Sequence, residues 1–171
     1  TRYIPAYYYQ QLSLDQSKPL LNHATQVAQP PGSVFKIVTG IGAINEKVVS
    51  PDFHINCPGH IFIQNSYSPN DPGSEQEYVC HLRTGHGQVD YLHALAWSCN
   101  LYFNKVGGGY KDEVPEGLGI DRLGQYAHAL GYGEISGIEL TGEETGMIPT
   151  RTWKRVNKGE SWATGDTYLA S

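Results

Sequence analysis

The sequence predicts a mainly helical chain with few short strands. Apolar residues recur at helical spacing in three separate windows, and a single short run, Ile61-Phe62-Ile63, reads as strand. Glycine occurs 20 times, which implies many loops between the helices.

Residues 1–32 are rich in Tyr, Gln and Pro without a sustained period, so a short helix at most is expected there. Tyr7, Tyr8 and Tyr9 are expected to pack rather than to form a recognition surface. Pro30-Pro31-Gly32 blocks helix, because each proline restrains its predecessor. Directly afterwards Val34, Ile37, Val38, Ile41 and Ile44 predict one apolar face on a helix from Ser33 to about Glu46.

From Val48 to Thr84 the chain is irregular, with Pro51, Pro58, Pro69 and Pro72 and a turn signal at Asn70-Asp71-Pro72-Gly73. A loop of that length needs something to hold it. A second helix is expected from Val89 to Trp97. It is interrupted near Ser98-Cys99-Asn100, resumes through Leu101, Tyr102, Phe103 and Val106, and ends at Gly107-Gly108-Gly109. The third runs from about Asp121 to Leu130, with Gly131 in the stop position. Beyond it, Ile138-Glu139-Leu140 reads as a weak strand and Thr150 as the opening of a short helix.

A formal net charge of -5 gives no electrostatic footprint for nucleic acid and does not favour anionic membranes. No stretch reaches the roughly 18 apolar residues of a membrane-spanning helix. The chain opens on Thr1-Arg2-Tyr3 and stops at Ala170-Ser171, so both ends are expected to be cut from a longer protein.

Ser33 and Lys36 stand three residues apart at a helix start, which places both side chains on one side of it. A serine hydroxyl needs a base to become a nucleophile, and a neutral lysine amine can serve. Neutrality near pH 7 requires a fall of about 3 units from about 10.4, or roughly 4 kcal/mol. Burial and the positive end of the helix dipole both push that way. Free backbone N–H groups at the helix start can also face an oxyanion. The bare spacing equally describes a helix-capping serine followed by a solvated lysine.

The surrounding residues carry a resemblance. Leu20 to Thr25 followed by Pro30-Pro31-Gly32-Ser33-Val34-Phe35-Lys36 is similar to the first motif of class B penicillin-binding proteins with its lead-in. Ser98-Cys99-Asn100 resembles their second motif. Gly85-His86-Gly87 precedes it as in elongation-type members, and Gly142-Glu143, Pro149-Thr150, Trp153-Lys154 and Gly165-Asp166-Thr167 resemble the segment that follows. The third motif, Lys-Thr-Gly or Lys-Ser-Gly on a strand, is absent. The resemblance implies an α/β penicillin-binding/transpeptidase-like (serine β-lactamase-like) fold. Residues 1–171 would form a partial domain, mainly its helical subdomain, with the central sheet largely outside this chain.

It also implies a peptidoglycan D,D-transpeptidase. Ser33 would attack the penultimate D-Ala carbonyl of a stem peptide, Ser98 would relay a proton, and Asn100 would bind substrate backbone and hydrogen-bond Lys36. Implied partners are stem peptides ending in D-Ala-D-Ala, β-lactams and a glycan polymerase of the elongation machinery. The implied place is the bacterial envelope, on the outer face of the cytoplasmic membrane, with an anchoring N-terminal helix outside this chain. A serine β-lactamase and a non-catalytic penicillin-sensing or scaffold domain remain the alternatives. Asp166 and Glu143 receive no chemistry.

The cysteines and one histidine follow the order Cys57, Cys80, His86, Cys99. Three thiolates and an imidazole complete a tetrahedral structural zinc site, which would use every cysteine and pin the long loop. This set resembles a zinc site of elongation-type relatives. A Cys57–Cys80 disulfide with Cys99 as a buried thiol is the competing reading, and His81 is an awkward substitute for His86. His93 and His128, on expected helices, are read as packed or surface residues.

Overall fold

A computed structural model describes residues 3–64 and 72–171. In chain order the elements are α1 (Ala6–Leu14), α2 (Lys36–Asn45), β1 (Ile55–Cys57), β2 (His60–Ile63), β3 (Gln76–Val79) and β4 (Gly87–Val89). They continue with α3 (Tyr91–Ala96), α4 (Asn100–Gly108), α5 (Gly119–Ala129), α6 (Arg151–Lys158) and α7 (Thr164–Ala170). The expected turn at Asn70-Asp71-Pro72-Gly73 lies partly outside the described residues; Pro72–Ser74 form a short 3-10 turn.

Helix α4 is the axis of the structure. Leu101 through Gly107 are buried, the polar Asn104 and Lys105 included, so other elements surround the helix. Leu101, Tyr102, Phe103 and Val106 share one core with Ile55, Cys57, Val89, Tyr78 and Tyr168. A second core joins Val38 to Leu118, Ile120, Leu123 and Ala127. The strands form two separate antiparallel pairs, β1 with β4 and β2 with β3.

Several expectations need correction. Val89 is strand rather than helix start: it pairs with Ile55, and Asp90 then caps α3 by accepting from the backbone N–H of His93 at 2.8 Å. Ile138-Glu139-Leu140 is not a strand. Tyr7, Tyr8 and Tyr9 do not pack into the core, for α1 buries no residue. The helix expected from Ser33 begins as a 3-10 turn over Gly32–Phe35.

Helix α2 buries only part of the face its large apolar residues mark: Val38 is buried and Ile44 half-buried, but small and polar residues make up the rest of the buried side. Lys36, Val38, Thr39, Gly40, Gly42 and Ala43 are buried, whereas Val34, Ile37 and Ile41 are exposed. Small residues win because they let other elements approach closely. A Cβ on Gly40 would lie 2.4 Å from the Tyr91 ring, and one on Gly42 would lie 2.8 Å from Leu118.

One polar device ties α4 to β1. Lys105, 2% exposed, donates to Glu113 Oε2 at 2.5 Å and to the Asn56 carbonyl at 2.8 Å, while Glu113 Oε1 accepts from Asn56 N at 2.6 Å. Both backbone groups beside Cys57 are thus held by one ion pair. Glu113→Ala strands a buried ammonium, and is expected to lower the unfolding free energy by about 3 kcal/mol in denaturant titration.

Candidate active site and metal centre

Ser33 stands exposed on the 3-10 turn that leads into α2, and Lys36 is buried one turn on, 4% exposed. Gly32, at φ +58°, supplies the left-handed residue that lets the chain leave Pro30-Pro31 and enter that turn. Lys36 Nζ donates to Ser98 O at 2.7 Å, Ser98 Oγ at 2.9 Å and Asn100 Oδ1 at 2.6 Å. Ser98 Oγ in turn donates to Ser33 Oγ at 3.0 Å. The amine therefore reaches the Ser33 hydroxyl through the Ser98 hydroxyl.

Two influences compete at Lys36. Burial pushes the amine below its ordinary 10.5, and the electrostatic influence of the nearby Cys80 and Cys99 sulfurs pulls it back to a lesser degree. Three acceptors around Nζ match the three N–H bonds of an ammonium.

The turn carrying Ser98 is a helix stop. Ser98 N donates to Leu95 O at 3.1 Å and Cys99 N to Ala94 O at 2.8 Å, the bond pair of a Schellman motif. The same pair closes α5, where Gly131 N donates to His128 O and Tyr132 N to Ala127 O. Gly131 occupies the left-handed position there at φ +87°, but the corresponding residue after α3 is Ser98, at φ +51°. A non-glycine residue in that region costs on the order of 1 kcal/mol. That strain places a hydroxyl between Ser33 and Lys36.

Directly after Ser98 comes Cys99, fully buried, whose Sγ converges with those of Cys57 and Cys80 and a ring nitrogen of His86. All four ligand atoms lie within 4.8 Å of one another. His86 Nδ1 is 3.6 Å from Cys57 Sγ and 3.5 Å from Cys80 Sγ. Zinc bonds of about 2.3 Å to sulfur and about 2.0 Å to nitrogen, at a tetrahedral angle, set their ends about 3.6 Å apart. The donor set and the spacing fit a closed structural zinc site. Cys99 donating to Cys57, with His86 alongside, holds the Cys57 thiol down at about 4, while Cys99 is raised as the donor of that bond.

Cys57, Cys80 and Cys99 are free thiols, so the disulfide does not form in this structure. His81 Nδ1 lies 3.9 Å from Cys80 Sγ and is not part of the four-ligand group. His86 stacks on Trp97 with ring centroids 5.8 Å apart, which fixes the plane of its imidazole. Zinc at this site would be held by Cys57, Cys80, His86 and Cys99, and would supply rigidity rather than an open coordination position.

A cleft of about 940 Å³ opens beside Ser33, lined by Lys36, Asn100, Tyr132 and β3 among others. Asn100 Nδ2 donates to Val79 O at 3.3 Å, joining the second turn to β3. The structure thus brings Ser33, Lys36 and Asn100 together at the cleft, with Ser98 bonded to both Ser33 and Lys36 and followed directly by the metal ligand Cys99. Sequence reasoning missed the contribution of β3, whose four residues are too few to show a period. Asp166 caps α7 by accepting from Ala163 N at 2.7 Å and pairs with Lys154 at 2.6 Å, and Glu143 accepts from Ser136 N at 2.7 Å. Their bonds are within the fold.

A buried lysine bridged to an exposed serine by a second serine, on a helical body, defines a class. Residues 3–169 match the family model "Penicillin binding protein transpeptidase domain", and the chain belongs to that family. Within it, the likeness is to the PBP2-type, elongation-specific members. Peptidoglycan D,D-transpeptidase MrdA of Haemophilus influenzae is 33% identical over 159 residues, which are 93% of this chain and 22% of that protein. The Escherichia coli K12 protein of the same name is 32% identical over 159 residues, 93% of this chain and 23% of its own length. The chain therefore spans less than a quarter of these curated relatives.

Among solved structures, Pseudomonas aeruginosa PBP2 in complex with WCK 5153 superposes with a TM-score of 0.79 at 28% identity, over 97% of this chain and 34% of that one. PBP2 of Helicobacter pylori in its complex with MreC gives 0.80 at 27% identity, over 98% of this chain and 28% of that one. The helix-dominated body with few short antiparallel strands matches the superposed part of these relatives.

Proposed function

We propose that this chain is the nucleophile-bearing part of a peptidoglycan D,D-transpeptidase that cross-links stem peptides during cell-wall elongation. The observation that carries this reading is the unbroken hydrogen-bonded line from Lys36 Nζ through Ser98 Oγ to Ser33 Oγ. When Lys36 is neutral its lone pair accepts from Ser98 O–H, and Ser98 Oγ accepts from Ser33 O–H. The line then runs in the direction that removes a proton from Ser33.

Ser33 Oγ attacks the carbonyl carbon of the penultimate D-Ala. The C–N bond to the terminal D-Ala breaks, and the proton held on the Lys36–Ser98 pair passes to the leaving nitrogen. Asn100, whose oxygen accepts from Lys36, holds the peptide backbone. An amine of a second stem peptide resolves the ester. β-Lactams, which mimic D-Ala-D-Ala, acylate the same serine.

The partial-domain reading is supported by the turn into α2 and α2 itself, where Val34, Ile37 and Ile41 form an exposed apolar row. A sheet bearing the third motif would cover it. By analogy with the relatives, the whole protein works at the outer face of the cytoplasmic membrane, held by an N-terminal anchor, and partners a glycan polymerase. The Helicobacter pylori relative bound to MreC supports membership of an elongation assembly.

The test is chemical. Full-length protein incubated with a D-Ala-D-Ala-terminated stem peptide and an amine acceptor is expected to release one D-Ala for each cross-link or hydrolysis event. Ser33→Ala should release none. D-Ala release that survives this substitution contradicts the proposal.

A further inference from the structure

Strand β3 presents a free edge to the cleft. Its pairing with β2 sets His60 opposite Val79 and Phe62 opposite Glu77. One step further on, Cys80 N donates to Gly59 O at 2.8 Å. Antiparallel pairs alternate between bonded and non-bonded, so Tyr78 and Gln76 bond toward β2, whereas Val79 and Glu77 turn their N–H and C=O groups away. The Asn100 bond to the Val79 carbonyl, 3.3 Å long, comes from that outward side. Among the described residues, no partner meets the outward backbone groups of Glu77 or the N–H of Val79.

Apart from Lys36, the cleft holds charge of one sign. Lys36 is engaged by the second motif, which leaves Glu77 and Glu144 as the other charged residues lining the cleft. Both are exposed, and neither forms an ion pair with a described residue. A free strand edge that carries one unpaired carboxylate, in a cleft lined by a second, fits an extended peptide that carries an amine.

We propose that the outward edge of β3, with the carboxylates of Glu77 and Glu144, binds the amine-bearing stem peptide that resolves the acyl-enzyme. This rests on the reading of Ser33 as the acylated residue. The peptide adds as a strand, exchanging hydrogen bonds with Glu77 N–H and C=O. From Glu77 to Val79 the edge advances about 7 Å, toward Asn100 and the site of acylation. The carboxylates draw in the ammonium form. Once neutral, the amine nitrogen attacks the ester carbonyl, the new C–N bond forms, the C–Oγ bond to Ser33 breaks, and the amine proton passes to Ser33 Oγ.

The measurement is the partition of one acyl-enzyme between amine and water, as the ratio of cross-linked to hydrolysed product in the full-length protein. Counting only acylated molecules removes differences in folding and in the first step. Glu77→Pro deletes the outward N–H and the carboxylate, and proline is tolerated where an edge N–H faces away from the ladder. It is expected to lower the ratio at least about tenfold. The double variant Glu77→Gln, Glu144→Gln keeps the edge and removes the charge, and is expected to raise the acceptor concentration for half-maximal cross-linking about tenfold. That variant decides the matter if the proline variant fails to acylate. Ratios and acceptor dependence equal to those of the unmodified protein overturn this inference and leave the acylation reading standing. Absence of any acyl-enzyme in the unmodified protein takes down both.

Discussion

Lys36→Met is expected to slow β-lactam acylation of Ser33 by about a thousandfold, within the range for loss of a positioned general base. Methionine keeps the buried stem but removes the amine, so Ser98 Oγ loses the group to which it would pass a proton. Ser98 O and Asn100 Oδ1 lose their donor too. Arginine is no substitute, because a guanidinium stays charged and cannot accept a proton.

The pH dependence follows from the direction in which burial moves Lys36. Its amine must be neutral to act, and its folded-state value lies below 10.5. The acylation rate therefore rises with pH through that lowered value and levels above it, and in Lys36→Met this rise is absent. The same depression affects stability. Between the folded value and 10.5 the unfolded chain binds more protons, so stability climbs as pH rises through that window. Stopped-flow acylation across pH, on both proteins, checks the first statement.

Removing the metal is expected to have the second largest effect. Cys99 is the link between the thiolate cluster and the residues on either side, Ser98 and Asn100, both bonded to Lys36. Zinc bound by these four donors would hold the strained turn at Ser98 in place. Without it, Cys57, Cys80, His86 and Cys99 would lose the ion that ties them together, and Ser98 would be free to leave its left-handed conformation. Elemental analysis should find one zinc per chain. Chelation should cut the β-lactam acylation rate by about 10- to 100-fold, the usual scale for loss of a supporting shell. The fluorescence of Trp97, which stacks on His86, should change in step. A metal-free protein that acylates at the full rate contradicts this account.

The sequence was most legible where structure is local. The repeat of Leu123, Tyr126, Ala127 and Leu130 located α5 to within two residues, and Thr150 announced α6 through its side-chain bond to Trp153 N at 3.0 Å. Strands of three or four residues carry too little pattern, so β1, β3 and β4 went unseen. Helix α2 was found, but its orientation was not: a hydrophobicity argument favours Ile37 and Ile41, while close packing chose Gly40 and Gly42. In the candidate site, the Ser33–Lys36 spacing is set by one turn of chain. Asn100, 64 residues from Lys36, was placed there by motif resemblance alone. The three cysteines stood out because the chain has no others, whereas His86, one of seven histidines, was named from its place in the order and from the resemblance, and the convergence of all four depends on two strand pairs that periodicity does not reveal.

The account stands on Ser33 Oγ being the atom that becomes acylated. Intact-mass analysis of full-length protein exposed to penicillin, followed by peptide mapping, tests this directly. One long-lived adduct per chain, located on Ser33 and absent in Ser33→Ala, is the predicted result; an adduct on another residue, or rapid turnover that leaves none, contradicts it.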